Sequence, residues 1–223
     1  MLRHSVRRYV HKPLSAEIVE TLRKKIEECN AEGGLHIQLV TNETRAFTGL
    51  FSYGKFSGVE NYIVMVGRKA DDLDERVGYY GEQLVLLAQT LGLNTCWAGL
   101  SYRRVDEAYS VGNDEKLTCM IALGYGATQG YKRKSKTAEQ VSNVGSESPE
   151  WFRKGVEAVL MAPTAINQQK FSFTLLPQEQ GTGEKPKVFA KRGFSMVGYT
   201  KMDLGIARLH FEIGAGTENF DWA

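Results

Sequence analysis

The sequence lacks both a paired cysteine pattern and an excess of charge. Its three cysteines, Cys29, Cys96 and Cys119, are odd in number and irregular in spacing. They predict neither a disulfide framework nor a zinc site, and they suit a reducing compartment. Twenty-eight Lys and Arg against 26 Asp and Glu leave a formal net charge of +2. So small an excess argues against nucleic acid or an acidic membrane as a partner of the chain as a whole.

Long hydrophobic runs are also missing. The longest mostly apolar stretch, residues 84–93, is about half of the ~20 residues that a bilayer crossing needs. No apolar segment of signal-peptide length follows the basic amino terminus. We therefore expect a cytoplasmic protein that neither spans a membrane nor is exported.

The sequence contains none of the common motifs for hydrolytic or metal-dependent chemistry. HExxH, GxSxG and the P-loop are absent, and the four histidines show no ligand-like pairing. Gly124-Tyr125-Gly126 follows a predicted strand, but no amphipathic helix comes next to hold a pyrophosphate, so we reject a dinucleotide fingerprint. An enzyme without its own nucleophile, acid or metal would need a cofactor for its chemistry.

The 42% hydrophobic and 24% charged composition is typical of a globular chain, and its first half alternates helix and strand patterns. Ser15 is expected to cap a helix that runs to about residue 29. Alternation at residues 35–40 predicts a strand, and the unbroken apolar runs at 62–67 and 117–124 predict strands buried on both faces. Between these runs, an acidic connector at 71–76 precedes a helix at 78–93 that is apolar on most of its circumference and must be covered by protein. Residues 42–60 read as a long loop.

The second half repeats this order of elements. Residues 129–148 lose all periodicity and mark a boundary, which predicts one domain at 1–140 and another at 141–223. Ser148 is expected to cap a helix with Pro149 at its first position, ending near Met161. Strands are expected at 171–176 and 187–192, and a closing helix at 199–214. The chain is therefore predicted to be α+β.

Some residues also recur between the two halves. Val77-Gly78-Tyr79 and Leu84 align with Val197-Gly198-Tyr199 and Leu204 at a constant offset of 120. An internal duplication is the working hypothesis, and two unrelated α+β halves are the alternative.

Three segments carry residue types suited to binding. The segments at 3–9 and 132–136 are basic, and on a nearly neutral chain they suggest one shared anion; the alternative for the first is a solvated terminus. The segment APTAINQQ, residues 162–169, offers hydroxyl and carboxamide groups for the edge of a heterocycle or a polyol; the alternative is an ordinary loop that ends a helix.

Together these segments resemble the nitroreductase family. Arg3-His4-Ser5 with Arg7 resembles its amino-terminal flavin-phosphate motif, and APTAINQQ resembles its Pro-Ser-x-x-Asn-x-Gln loop. LGLNTCWAGL, residues 91–100, is similar to the segment after the family's central helix. ALGYGATQG followed by KSK is similar to its last core strand and phosphate-binding tail. The resemblance implies antiparallel or mixed sheets with helices.

One departure from the family pattern is informative. In ordinary members the Pro-Ser-x-x-Asn-x-Gln loop follows the first helix, whereas here it follows the helix predicted at 148–161. In the family's homodimer, one subunit supplies the Arg-x-Ser motif and the other supplies that loop. The resemblance therefore implies two similar halves packed as a pseudo-dimer around apolar central helices, as in a duplicated single-chain subgroup. It implies one FMN per chain and a monomer, with a dimer as the alternative.

The resemblance also implies site residues for FMN. It assigns the phosphate to Arg3, Ser5, Lys134 and Lys136, and the ribityl chain and ring to His4 and Arg7. Lys55 would lie beside the pyrimidine edge, where a fixed cation favours the anionic reduced flavin. A backbone N–H near the flavin N5 would come from the segment that borders the ring, formed by Trp97, Ala98, Gly99 and Leu100. The second half would reach the flavin through Pro163, Thr164, Ala165 and Asn167.

The activity implied is that of an FMN-dependent oxidoreductase. A hydride would pass from NADH or NADPH to FMN, and then to a nitroaromatic, a quinone, free flavin or a similar planar acceptor, in ping-pong order. No catalytic side chain and no metal are expected, beyond electrostatic support from Lys55. The aromatic side chains of the loop at 45–60 have two possible roles, which are to stack on a planar acceptor or to anchor the loop. These side chains are Phe47, Phe51, Tyr53 and Phe56.

Two other functions remain open. One is a non-catalytic flavin-binding protein. The other is a basic module that binds nucleic acid or another polyanion, with Tyr9 and Tyr131 as stacking platforms.

Overall fold

The structure, a computed structural model, describes residues 3–48, 55–131, 133–177 and 184–223. The chain divides into two compact units, the first made of Met1–Leu73 and Tyr80–Lys132 and the second of Asp74–Tyr79 and Arg133–Ala223. Both contain helices and a sheet, and the sheets are antiparallel in one unit and mixed in the other. The predicted α+β class is therefore confirmed.

The first unit contains a four-stranded antiparallel sheet with the strand order β1-β2-β4-β3. Its strands are β1 (Gln38–Val40), β2 (Asn61–Arg68), β3 (Asn94–Ala98) and β4 (Glu115–Gly124). β2 and β4 lie at the centre, and almost all their side chains are buried, as their unbroken apolar runs predict. β1 is shorter than the predicted strand at 35–40. β3 is not predicted, because its mixed polar and apolar residues show no strand periodicity.

Two helices come next, α1 (Ala16–Gly33) in the first unit and α2 (Leu73–Thr90), whose residues 74–79 belong to the second unit. The predicted cap of α1 is confirmed, since Ser15 Oγ accepts the Ile18 N–H at 3.3 Å. α1 continues four residues past the predicted end and stops where Gly34 adopts the left-handed conformation at φ 57°. The prediction that residues 71–76 form an acidic connector is wrong. Most of them form the first turn of α2, where Asp74 and Glu75 suit the positive end of the helix dipole.

The second unit packs two helices and a three-stranded sheet around aromatic side chains. Its elements are α3 (Glu150–Val159), β5 (Phe171–Leu175), β6 (Lys187–Arg192), α4 (Thr200–Ala215) and β7 (Asp221–Trp222). β5 and β6 are antiparallel, and β6 and β7 are parallel. Phe211 of α4 stacks on Phe173 of β5 with ring centroids 5.1 Å apart, and meets Phe152 of α3 edge to face at 5.7 Å. Gly155 lets this ring approach α3, because a Cβ there would lie 2.7 Å from it.

The start of α3 differs from the prediction. Pro149 is the residue before the helix, with φ −57° and ψ 148°, and not its first helical residue. Ser148 does not cap α3, because its hydroxyl accepts the Gly145 N–H at 2.9 Å within the preceding turn. β5, β6 and α4 lie within one residue of the predicted bounds, whereas β7 was not predicted.

The offset of 120 does not match equivalent positions in the structure. It aligns Val77-Gly78-Tyr79, which are inside α2, with Val197-Gly198-Tyr199, which precede α4. The first residues of the two helices, Leu73 and Thr200, differ by 127 positions. The repeated letters therefore do not support the duplication, and only the repeated order of elements does. The duplication and the two similar halves stay a hypothesis.

The described residues contain neither a candidate membrane span nor a cluster of metal-ligating side chains. None of the helices there is long and apolar enough to cross a membrane. Nor do three or more His, Cys, Asp or Glu side chains gather in that part of the chain to hold a metal ion.

Candidate functional site

The amino-terminal basic segment lies in an extended conformation between two loops of the first unit. On one side, Ser57 N donates to Arg7 O at 3.0 Å. On the other, Ala127 N donates to Arg8 O at 2.8 Å. Backbone hydrogen bonds on both sides give this segment the environment of a strand, so it is not a solvated terminus.

Tyr9 anchors the segment in the core. Its hydroxyl donates to Val6 O at 2.6 Å, and burial raises its pKa well above the ordinary value. Gly58 packs so closely on the Tyr9 carbonyl that a Cβ there would overlap with it. A buried ring cannot stack on a nucleobase, so the polyanion-binding alternative loses Tyr9 as a stacking platform. Tyr131, the other proposed platform, is exposed.

A cavity of about 870 Å³ opens beside this segment in the first unit. Three predicted residues line it together, namely Ser5, Arg7 and Lys55. Arg8 and His11 add further basic side chains, and the acidic Glu60 in the lining is held by His11 at 2.6 Å. The volume lies in the range of small-molecule and cofactor sites, ~300 to 1,000 Å³. The cavity is thus large enough for a nucleotide-sized ligand and favours an anionic one.

Arg3 lies beneath α2. Its side chain is 6% exposed, and its Nε lies 3.8 Å from Oε1 of Glu82, which is fully buried. Its Nη1 is buried and has no hydrogen-bond partner within the described part of the chain. A buried guanidinium donor without a partner is costly, and an anion such as a phosphate would satisfy it. This open donor fits the assignment of Arg3 to a phosphate, although Glu82 already offsets part of its charge.

Ser5 contacts a thiol at the same place. Burial raises the pKa of Cys96, while the nearby charge of Arg7 and a hydrogen bond with Ser5 partly oppose that rise. The thiol therefore stays protonated at neutral pH, which excludes a thiolate nucleophile at this position.

The loop before β2 is anchored by Phe47. This side chain is 4% exposed, and its ring centroid lies 4.9 Å from that of Phe56 and 5.7 Å from that of Tyr62. For Phe47 the structure therefore favours the anchoring role over stacking on an acceptor. Phe51 and Tyr53 lie outside the described residues.

The segment predicted to border a flavin ring begins in β3. The indole of Trp97 packs on Gly81 of α2, where a Cβ would lie 2.5 Å from the ring, and its Nε1 donates to Glu82 at 3.0 Å. Ala98 is buried and Gly99 is half-buried, whereas Leu100 is 79% exposed. The indole is thus held by α2, and the exposed end of the segment is at Leu100. A contact between this segment and a flavin stays a prediction.

In the second unit, the Thr164–Gln169 loop follows α3. Asp203 of α4 accepts the Ala165 N–H at 3.0 Å and a donor from Gln168 at 2.6 Å. Burial raises the pKa of Asp203 to about 6, and the hydrogen bonds from Ala165 and Gln168 and the charge of Arg133 act in the opposite direction. Pro163 is buried, while Thr164 is half-buried and Asn167 is exposed.

Much of the second basic run serves this loop and the end of α3. Arg133 donates to Leu160 O at 2.9 Å and to Ala162 O at 2.6 Å, which satisfies carbonyls beyond the last helical residue. Lys136 Nζ donates to Gln169 O at 2.6 Å, and burial and the charge of Lys170 lower its pKa.

Lys134 has an exposed side chain, while its carbonyl accepts from Asn167 at 2.7 Å. Lys132 lies outside the described residues. A single phosphate held by both basic runs stays a prediction.

Sequence patterns missed two residues that position these segments, Glu82 and Asp203. Each shares its helix with at least one other acidic residue that is more exposed, whereas its own side chain is at most 2% exposed. Because buried carboxylates need hydrogen-bond partners, an acid on the apolar face of a helix was an available signal.

Comparison with known proteins identifies a family. A protein-family model described as "Putative TM nitroreductase" matches residues 1–215. No curated protein matches the chain in sequence.

Solved structures share the fold. A "putative nitroreductase" from Thermotoga maritima is 23% identical and has a TM-score of 0.59, over 95% of this chain and 79% of its own. A "putative nitroreductase in complex with fmn" from Desulfovibrio desulfuricans is 17% identical, with a TM-score of 0.50 over 66% of this chain and 93% of its own. A "Putative NADH Oxidase" from Clostridium acetobutylicum is 16% identical, with a TM-score of 0.50 over 66% of this chain and 98% of its own. Identities this low establish the fold alone.

Proposed function

The chain belongs to the nitroreductase family whose model spans residues 1–215, and from that premise we propose that it is an FMN-dependent oxidoreductase. The observation that carries the proposal is the cavity of the first unit, where Ser5, Arg7 and Lys55 meet beside an extended amino-terminal segment. The Desulfovibrio desulfuricans relative, solved with FMN, shares this fold. Bound FMN would supply the electron-transfer chemistry that the chain's own side chains lack.

The residues of the first unit have distinct proposed roles. Ser5 donates a hydrogen bond to the phosphate, and Arg3 adds its open Nη1 donor, while His4 and Arg7 lie along the ribityl chain and ring. Lys55 places a positive charge where the flavin gains negative charge on reduction. Phe47 and Phe56 add apolar side chains to the lining of the cavity, where they contact each other.

The remaining assignments rest on the family pattern. NADH or NADPH is proposed as the electron donor, and a nitroaromatic, a quinone or a similar planar compound as the acceptor. The second unit contributes Pro163, Thr164, Ala165 and Asn167 to the flavin, and Lys134 and Lys136 to its phosphate. Together with the duplication, this predicts one FMN per chain and a functional monomer. The cysteine usage supports a cytoplasmic location.

Reconstitution tests the cofactor. Purified protein mixed with FMN and freed of excess ligand is expected to be yellow, with about one flavin per chain. The double variant Arg3→Ala/Ser5→Ala is expected to retain less FMN, and Lys24→Ala, which removes an exposed lysine of α1, serves as the control. A colourless protein that takes up no FMN contradicts the proposal, and equal retention by the double variant rejects the phosphate site.

Anaerobic mixing with NADH or NADPH tests turnover. Bleaching of the flavin absorbance identifies the donor, and its return on adding a quinone or nitroaromatic identifies an acceptor. Flavin that neither nucleotide bleaches would instead indicate a non-catalytic flavin-binding protein. Sedimentation at low concentration tests the oligomeric state, because loss of flavin on dissociation of a dimer would contradict a site formed by one chain.

A further inference from the structure

A single buried carboxylate attaches both ends of the turn after α3 to α4. Asp203 is 2% exposed on α4, and one of its oxygens accepts the Ala165 N–H at 3.0 Å. Its other oxygen accepts from Gln168 Nε2 at 2.6 Å. Since these two donors lie three residues apart, Asp203 spans the short 3₁₀ turn Ala165–Asn167.

The turn has a strained backbone. Ile166 has φ 46°, Asn167 has φ 59° and Gln169 has φ 44°, all in the left-handed region although none is glycine. For a β-branched residue such as Ile166 this conformation is an outlier. The Ile166 side chain is also 77% exposed, so its own packing does not compensate for the strain. The hydrogen bonds made by the neighbouring residues must therefore hold the turn in place.

A second set of hydrogen bonds holds the end of the loop. Gln169 N donates to Thr164 Oγ1 at 3.1 Å, Lys136 N donates to Gln169 Oε1 at 3.0 Å, and Asn167 donates to Lys134 O at 2.7 Å. None of these bonds involves Ala165 or Gln168. The attachment of the turn to α4 therefore depends on Asp203.

The charges around Asp203 can be traced element by element. Arg133, in the segment before α3, favours the ionised carboxylate. Glu75 of α2 is paired with Arg208 of α4 at 2.8 Å. His210 lies two turns further along α4 and is buried.

Protonation of Asp203 weakens the hydrogen bonds that attach the loop to α4. Burial raises the pKa of Asp203, whereas the bonds from Ala165 and Gln168 lower it, so both bonds favour the ionised form. By linkage, a proton on Asp203 weakens the same two bonds. Gln168 Nε2 also donates to Gly198 O at 3.0 Å. If Gln168 turns its amide oxygen toward a protonated carboxyl, that second bond is lost.

From this geometry we infer that Asp203 is a positioning residue for the Thr164–Gln169 loop, and that protonation of its carboxylate loosens the loop. The consequence for the ligand rests on the proposed function, in which this loop contacts FMN: protonation of Asp203 weakens FMN binding. The ligand is the flavin nucleotide already proposed. What is new is that the loop that contacts it is attached to α4 in a pH-dependent way.

Hydrogen exchange on flavin-free protein tests the attachment alone. Protection of the peptide covering residues 162–170, corrected for intrinsic exchange, is measured from pH 5 to pH 8. The wild-type peptide is expected to lose protection as the pH falls through about 6, and Asp203→Asn to show the low level throughout. Asp221→Asn, which removes an exposed carboxylate of the same unit, should behave as wild type. Equal, pH-independent protection in wild type and Asp203→Asn overturns the inference.

FMN titration tests the consequence for the ligand. Because a phosphate monoester itself takes up a proton near pH 6, the readout is the ratio of the Kd of Asp203→Asn to that of wild type. We expect a ratio of about ten at pH 7.5 and near one at pH 5, as for loss of a charge-assisted hydrogen bond. A ratio that does not change with pH overturns the link to FMN. If no variant binds FMN, the proposed function fails, while the exchange experiment still decides the role of Asp203.

Discussion

The indole of Trp97 donates to the carboxylate of Glu82 over 3.0 Å, and no part of that carboxylate reaches solvent. The other carboxylate oxygen faces Arg3, the first residue of the basic amino-terminal segment. One acid of α2 therefore fixes both an aromatic residue of β3 and the arginine proposed to bind a phosphate. This relationship gives Glu82 a structural role that can be measured without any ligand.

Glu82→Ala is expected to destabilise the fold by about 3 to 5 kcal/mol, because it leaves Arg3 buried without its counter-charge. Trp97→Phe removes the indole N–H together with part of the ring that packs on Gly81, and loss of the hydrogen bond alone is expected to cost about 1 to 3 kcal/mol. Urea unfolding of both variants measures the difference. A loss below about 1 kcal/mol for Glu82→Ala would show that the pair is not needed for stability.

Gly205→Ala is expected to destabilise the second unit. A Cβ at Gly205 of α4 would overlap with the carbonyl oxygen of Glu75, and a Cβ at Gly78 of α2 would overlap with that of Met202. Backbone must therefore move apart in either variant, at a cost of about 1 to 3 kcal/mol or a Tm lower by roughly 2 to 12 °C. Gly145→Ala is the matched control, because a Cβ there meets nothing within 4 Å. Equal Tm values for Gly205→Ala and Gly145→Ala would contradict the close approach.

Asp203→Asn is expected to change the pH dependence of stability. The pKa of Asp203 is raised to about 6 in the fold from 3.8, so the folded chain binds this proton more tightly than the unfolded chain. The wild type is thus expected to lose stability as the pH rises from about 4 through 6, by up to about 3 kcal/mol. The neutral variant lacks this loss. Its free energy of unfolding in urea should therefore exceed that of the wild type above pH 6 and equal it near pH 4. A constant difference between pH 4 and pH 8 would contradict a raised pKa.

Lys55→Gln is expected to make the reduction potential of bound FMN more negative, if the proposed function holds. Removing a cation at the cavity should destabilise the reduced flavin by about 1 kcal/mol, or roughly 20 mV for two electrons. Anaerobic titration against a reference dye measures the shift. Lys24→Gln removes an exposed charge of α1 and should leave the potential unchanged. A shift of the same size in both variants would reject the assigned role of Lys55.

Local patterns predicted most elements and missed others for identifiable reasons. β2 and β4 follow from unbroken apolar runs, and α1 from one apolar face and the Ser15 cap. The start of α2 was missed because an acidic first turn has the composition of a loop. β3 was missed because its pairing with β4 lies far along the chain and leaves no local periodicity.

The candidate site divides in the same way. The motifs at 3–7 and 162–169 could be recognised from the sequence because their residue types and spacings are local, and Ser5, Arg7 and Lys55 line one cavity in the structure. Their supporting contacts were not predicted. Ala165 and Asp203 are 38 residues apart, and Trp97 and Glu82 are 15 apart.

The sequence by itself therefore determined most of the helices and strands, the α+β class and the resemblance to the nitroreductase family, because periodicity, capping residues and motif spacing are all properties of neighbouring residues. Only the tertiary structure decided which polar groups are buried and what pairs with them. It placed Tyr9 in the core, Glu82 between Arg3 and Trp97, and Asp203 under a strained loop. The physical reason is that the cost of burying a charge or a strained turn is offset by partners distant in sequence, and such partners come together only when the chain has folded.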